Sequence, residues 1–120
     1  MIPTARFERR ARLLKAEEYT QVFNKAYRSR DQYFTVLAKP KSIGRAKLGL
    51  AVSKKRAKRA VSRNRLKRII RESFRLSQSI IACADYVVMI QQNSEKISNK
   101  QLFVSLEKHW LNLKKQCADS

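Results

Sequence analysis

Ser53–Arg75 reads SKKRAKRAVSRNRLKRIIRESFR, and the rest of the chain is organised around it. Eleven of these residues are Lys or Arg, against one acid, Glu72. No Gly or Pro interrupts the stretch, so nothing in it forbids a helix. At about 100° per residue, Leu66, Ile69, Ile70, Ser73 and Phe74 collect on one side. Arg65, Arg68, Arg71 and Arg75 fall on the other with Asn64, while Arg63 and Lys67 straddle the border. The pattern predicts a helix with one face in a core and the other dense with cations. Like charges four residues apart, as in Arg63–Lys67–Arg71–Arg75, repel by about a few tenths of a kcal/mol per pair in water. A solvated face ordinarily mixes signs to avoid that cost. This one does not, which implies a polyanion as the source of the missing negative charge.

Composition points the same way. The 120 residues suit one domain with a real core. A 43% hydrophobic fraction with ten aromatic residues excludes a merely disordered basic tail. Twenty-eight basic residues against nine acidic ones give a net charge of +19, so the free protein repels itself. Nucleic acid is the expected partner. A membrane surface fits less well, because the cations share helices with apolar faces and no long apolar run is present. Cys83 and Cys117 form no CxxC and have no His at metal spacing, so reduced thiols are expected. The opening MIPTARFERRARLL lacks the apolar core of a secretory signal, and Glu8, Glu17 and Glu18 fit a transit peptide poorly. The expected location is the cytoplasm.

Outward from the basic helix, the elements follow from periodicity. Residues 1–12 read as a flexible basic arm anchored by Phe7, residues 13–115 as a single nucleic-acid-binding α+β domain, and 116–120 as a tail. Leu13 to Tyr27 carries Leu14, Tyr19, Val22, Phe23, Ala26 and Tyr27 mostly at three- and four-residue steps, predicting a helix that Arg28-Ser29-Arg30-Asp31 breaks. Gln32 to Lys39 is β-branched and aromatic and stops at Pro40, predicting a strand with Phe34, Val36 and Ala38 on one face and Tyr33, Thr35 and Leu37 on the other. A loop with Pro40 and Gly44 leads to a second strand, Leu48 to Ser53. Its small Gly49 and Ala51 alternate with Leu48, Leu50 and Val52. Tyr86 to Ile90 is wholly apolar, as expected of a strand covered on both faces. Ser98 and Gln101 form a capping box for a last helix, Asn99 to Lys115, with Leu102, Phe103, Leu106, Trp110 and Leu113 on one stripe. Helix, strands, helix, strand, helix predicts an α+β fold with helices packed on a small mixed sheet.

Catalytic chemistry finds little support. His109 is the single histidine, and a lone helical histidine is ordinarily a surface or packing residue. The nine acids are scattered, and Glu17–Glu18, the one adjacent pair, point about 100° apart on a helix. No P-loop, nucleophile elbow or zinc spacing appears. No catalytic or metal-ligating residue is assigned, and a self-sufficient nuclease is disfavoured. Binding remains. Cations supply phosphate affinity, and Tyr19, Phe23 and Phe34 are candidates to stack unpaired bases in a cleft between the first helix and the first strand. Phe23 and Phe34 serve equally well as core; Tyr19 favours exposure, because its hydroxyl needs a polar partner.

LGLAVSKK followed by a basic helix containing Arg63-Asn64-Arg65-Leu66-Lys67-Arg68-Ile69-Ile70-Arg71-Glu72 closely resembles the bacterial ribonuclease P protein subunit, whose hallmark is this RNR-initiated motif. RLLKAEEYTQVF resembles the family's first helix, and DYVVMI with the Trp110-bearing helix resembles its tail, so the resemblance spans about Arg12 to Lys115. It implies an αβββαβα-like order with a left-handed βαβ crossover, against the usual rule. It implies a partner RNA that, with its bound Mg²⁺, cuts the 5′ leader from precursor tRNA, one protein joining one RNA. Lys55, Arg63, Asn64, Arg65, Lys67, Arg68 and Arg71 correspond to the motif that contacts the catalytic RNA. Tyr19, Phe23, Phe34 and Val36 correspond to the cleft that holds the single-stranded leader. Val36 stands where some members have tyrosine, and Ala51 where some have serine. A small ribosomal or ribosome-assembly protein would explain the basic helix equally well, but not the full order of segments.

Overall fold

The computed structural model describes residues 26–42, 44–51, 59–91 and 96–118. Four strands, β1 (Tyr27–Arg30), β2 (Phe34–Pro40), β3 (Lys47–Ala51) and β4 (Ala84–Ile90), join two helices, α1 (Ala60–Leu76) and α2 (Asn99–Ala118). They form one mixed sheet in the order β1-β2-β4-β3. β1 and β4 both pair antiparallel with β2, while β3 runs parallel to β4. The parallel pair is connected through α1, so β3–α1–β4 is a strand–helix–strand unit. This is the expected α+β architecture with helices on a small mixed sheet. Among the described residues no helix is long and apolar enough to cross a membrane.

The expected first helix falls on residues 13–27, of which 13–25 lie outside the described residues, as does the basic arm. Its last two residues are corrected: Ala26 is irregular and Tyr27 opens a strand. Tyr27-Arg28-Ser29-Arg30 alternates strictly, and pairing with Ala38, Leu37, Val36 and Thr35 of β2 rewards that alternation. The helical spacing of the preceding aromatics extends to Tyr27, but the alternation that follows belongs to a strand. The other bounds shift by a few residues. Of the expected basic helix, residues 53–58 lie outside the described residues, and α1 begins at Ala60.

The core lies between one sheet face and the two helices. Register places Phe34, Val36 and Ala38 of β2 beside Ile90, Val88 and Tyr86 of β4, with Leu48 beside Tyr86 from β3. These side chains share a buried cluster with Leu66, Ile69, Ile70 and Phe74 of α1 and Leu102, Leu106, Trp110 and Leu113 of α2. At its centre Phe74, Tyr86 and Trp110 pack edge to face with ring centroids 5.5–5.8 Å apart, a geometry the ring quadrupoles favour. Their polar tips are satisfied. The Trp110 indole donates to Ser73 Oγ at 2.9 Å, and the Tyr86 hydroxyl donates to the Ala82 carbonyl at 2.8 Å. Burial pushes the Tyr86 phenol well above its usual range, so it remains neutral. Ser73, the polar residue on the apolar face of α1, is there for the indole. The Ser98 cap holds in half: its hydroxyl oxygen accepts the Gln101 backbone N–H at 3.2 Å and donates to Gln101 Oε1 at 3.3 Å.

Candidate nucleic-acid interface

α1 buries Leu66, Ile69, Ile70, Ser73 and Phe74, as its periodicity requires, and this fixes which cations face out. Asn64 and Arg68 are exposed, and Arg63, Lys67 and Arg71 are half-buried at its flanks. Glu72, the one acid of the helix, is held by Arg75 in a close ion pair. The first turn carries no acid, and the N-cap, Arg59, makes no side-chain capping bond. The helix dipole is positive at this end, so exposed Arg59 and half-buried Arg63 oppose rather than complement it. An anion would relieve both repulsions. Lys55 lies outside the described residues.

Arg65 behaves differently from Arg68 of the same motif. Its guanidinium donates twice to the Ile97 carbonyl, at 2.8 and 3.3 Å, and once to Asn99 Oδ1 at 2.8 Å. These bonds tie the first turns of α1 to the start of α2. Arg65 orients the basic face more than it adds to it.

The cleft residues divide likewise. Tyr19 and Phe23 lie outside the described residues. Phe34 and Val36, expected on a cleft, are corrected: both are 0% exposed and sit in the main core, on the sheet face covered by α1 and α2. Side chains alternate along a strand, so a mapping displaced by one residue exchanges the two faces. The residues of β2 that face away from the helices are Thr35, Leu37 and Lys39. Register extends this second face across the sheet. Arg30, Thr35, Met89 and Ala51 form one row, Arg28, Leu37, Val87 and Gly49 a second, and Lys39, Asp85 and Lys47 a third. Leu37 and Val87 make a small buried cluster there, with Ala26 and Met89 packed against it. The Thr35 hydroxyl is buried on this face without a hydrogen-bond partner. Ala51, Arg28 and Arg30 are exposed. The face is therefore apolar at its middle and framed by cations.

His109 is a packing residue. Its Nδ1 shares a 2.6 Å hydrogen bond with Ser29 Oγ, and its Nε2 lies 3.2 Å from Asp31 Oδ2. Asn112 donates to the same Ser29 oxygen at 2.9 Å, and Ser105 donates to Asp31. A Ser–His–Asp constellation invites a nucleophilic reading, but Ser29 is only 5% exposed and its hydroxyl sits between His109 and Asn112. The network pins β1 to α2. Asp31 also accepts the backbone N–H groups of Tyr33 and Phe34, at 2.8 and 2.9 Å. Burial raises the Asp31 carboxyl, but the Ser105 and backbone hydrogen bonds, with His109 nearby, outweigh it and hold the group below its usual range. Among the described residues no cluster of His, Cys, Asp or Glu could hold a metal ion.

The chain matches the family model described as Ribonuclease P over residues 7–114. It is 46% identical over 114 residues to a Ribonuclease P protein component of Methylococcus capsulatus, covering 95% of this chain and 89% of that protein. It is 44% identical over 110 residues to the corresponding component of Vibrio cholerae, with 92% and 93% covered. Among solved structures it is similar to the RNase P protein of Staphylococcus aureus, with a TM-score of 0.76 at 31% identity over 82% of this chain and 91% of that one. The RNase P protein of Thermotoga maritima shares the fold, with a TM-score of 0.75 at 24% identity over 84% and 96%. With the motif, the fold and these likenesses together, the chain belongs to the Ribonuclease P protein family.

Proposed function

We propose that this protein is the protein component of a ribonuclease P holoenzyme, acting in the cytoplasm with one catalytic RNA. On this reading it binds that RNA through the exposed face of α1 and holds the single-stranded 5′ leader of precursor tRNA against the second face of the sheet. It thereby promotes endonucleolytic removal of the leader, leaving the mature tRNA 5′ end. The observation that carries the reading is the face of α1, where Asn64, Lys67 and Arg68 stand with no acid to oppose them and Arg65 fastens the helix in place. Phosphates supply the absent charge, and binding of this kind weakens steeply with salt. Arg63 and Arg71 flank the same face, and Lys55 precedes it in the chain.

The chemistry belongs to the RNA. Mg²⁺ does not suit the described side chains, which offer no carboxylate cluster and a cationic surface. The metal ions of the complex are held by RNA phosphates, and the protein assigns them no step. Its contribution is to attract, orient and retain substrate. Leader recognition uses the open margin of the second face around Met89 and Ala51, since Thr35, Leu37 and Val87 at its middle are buried, with Tyr19 and Phe23 as stacking partners from the segment before β1.

The test is the affinity of the cognate catalytic RNA for precursor and for mature tRNA, with and without the protein, at low Mg²⁺. Selective tightening of the leader-bearing substrate is expected. Equal tightening of both would reduce the protein to a charge-neutralising scaffold. No effect would favour a ribosomal or ribosome-assembly role.

A further inference from the structure

Arg28 and Arg30 stand apart from every motif in the chain. Both are exposed, and neither side chain has a partner among the described residues. Their direction is set by register. Ser29 points to the helices, where His109 and Asn112 hold it. Its neighbours must then point the other way, Arg28 beside Leu37 and Arg30 beside Thr35, onto the second face of the sheet. The strand that carries them is fixed from behind: Gln116 donates to the Arg28 carbonyl at 3.1 Å, in addition to the Ser29 pins. The two Cα positions are about 6.7 Å apart by strand geometry, of the same order as the step between successive phosphates of a stretched single strand. The row that begins at Arg30 ends across the sheet at Ala51, from which the chain proceeds to α1.

From this juxtaposition we propose that Arg28 and Arg30 form a phosphate rail along edge strand β1, holding two backbone phosphates of the leader at the exposed margin of the face, beside its buried apolar middle. The inference rests on the leader reading above and adds residues that the basic helix and its motif do not contain. Guanidinium groups bind phosphate in a forked geometry, and a strand spaces two of them evenly, as a rail requires. The rail reads no base. It sets how far along the leader the protein holds on, so its contribution depends on leader length.

Charged edge strands also prevent sheet-to-sheet aggregation, and that role would not depend on the leader. The test separates the two. Holoenzyme assembled with wild-type protein or with Arg28→Ala/Arg30→Ala is titrated with precursor tRNAs whose leaders grow one nucleotide at a time, and with mature tRNA, over a range of salt. The wild type is expected to gain affinity stepwise with leader length. The variant should lose the last steps, roughly tenfold at moderate salt, with a salt slope smaller by about 1.4 for two single-strand phosphates. Its affinity for mature tRNA should not change. Arg28→Lys/Arg30→Lys should recover part of the loss, and neutral methylphosphonate linkages at the affected leader positions should weaken wild type but not the alanine variant. A variant indistinguishable from a leader-sensitive wild type would overturn the rail alone, as would a uniform loss for leader-bearing and mature substrates. A wild type insensitive to leader length would overturn the leader reading and the rail with it.

Discussion

Replacing Arg65 by alanine separates the two roles mixed within the basic motif. Among its contacts with described residues, the guanidinium makes two part-buried hydrogen bonds to the Ile97 carbonyl and one exposed bond to Asn99 Oδ1, at the start of α2. Each part-buried bond contributes about 0.5–1 kcal/mol net and the exposed one little, so the loss is about 1–2 kcal/mol. For a chain of this length 1 kcal/mol moves the thermal midpoint by about 4 °C, so Arg65→Ala should melt roughly 4–8 °C below wild type. Asn99→Ala removes only the exposed bond and should stay within about 0.5 kcal/mol. Arg68→Ala supplies the opposite pattern. Its side chain is exposed, so the midpoint should hold within about 0.5 kcal/mol, while the salt slope of RNA association falls by about 1. Calorimetry or circular dichroism gives the melting data, and a salt titration of catalytic-RNA binding gives the slopes. An Arg65→Ala protein that melts with wild type but loses as much salt slope as Arg68→Ala would refute the assignment of Arg65 to the fold.

Three further outcomes follow from the packing. Phe34→Ala should cost about 3–5 kcal/mol, because the ring is wholly enclosed in the core; a stable variant with selectively weaker leader binding would return Phe34 to the cleft. Ser73→Ala should cost about 1–3 kcal/mol by stranding the buried Trp110 N–H, measured by denaturant unfolding. Asp31 predicts an acid limb. Its carboxyl is held below the usual range in the folded state, so its stabilisation is present above the unfolded value of about 4 and is lost as pH falls through the folded value. Asp31→Asn should be less stable at neutral pH and should flatten that limb. An unchanged limb in the variant would mean that other carboxylates produce it.

The basic helix was legible because its signal is local and repeated. A helix places Leu66, Ile69, Ile70 and Phe74 on one side whatever surrounds it, and the cations are left on the other. The strands Phe34–Pro40 and Ala84–Ile90 were legible in outline for the same reason. β1 was not. Four alternating residues are too few to outweigh a preceding helical pattern, and only pairing with β2 makes them a strand.

The site was harder to read than the fold. Composition and the motif determined that the protein is a strongly cationic domain of the Ribonuclease P protein family. They could not say which cations were committed elsewhere. Arg65 and Arg68 are equivalent in charge and share one helix, yet one bonds to the Ile97 carbonyl 32 residues away and the other faces solvent. Period two separated Phe34 and Val36 from Thr35 and Leu37, but it carries no information about which set meets the helices. That choice belongs to the tertiary structure, because burial against α1 and α2 rewards the larger apolar set and leaves its alternates, with Arg28 and Arg30, for the other side. His109 illustrates the same division: sequence marks it as alone, and only folding brings Ser29 and Asp31 to its two nitrogens. Local periodicity fixes the faces of an element; long-range packing decides what each face meets.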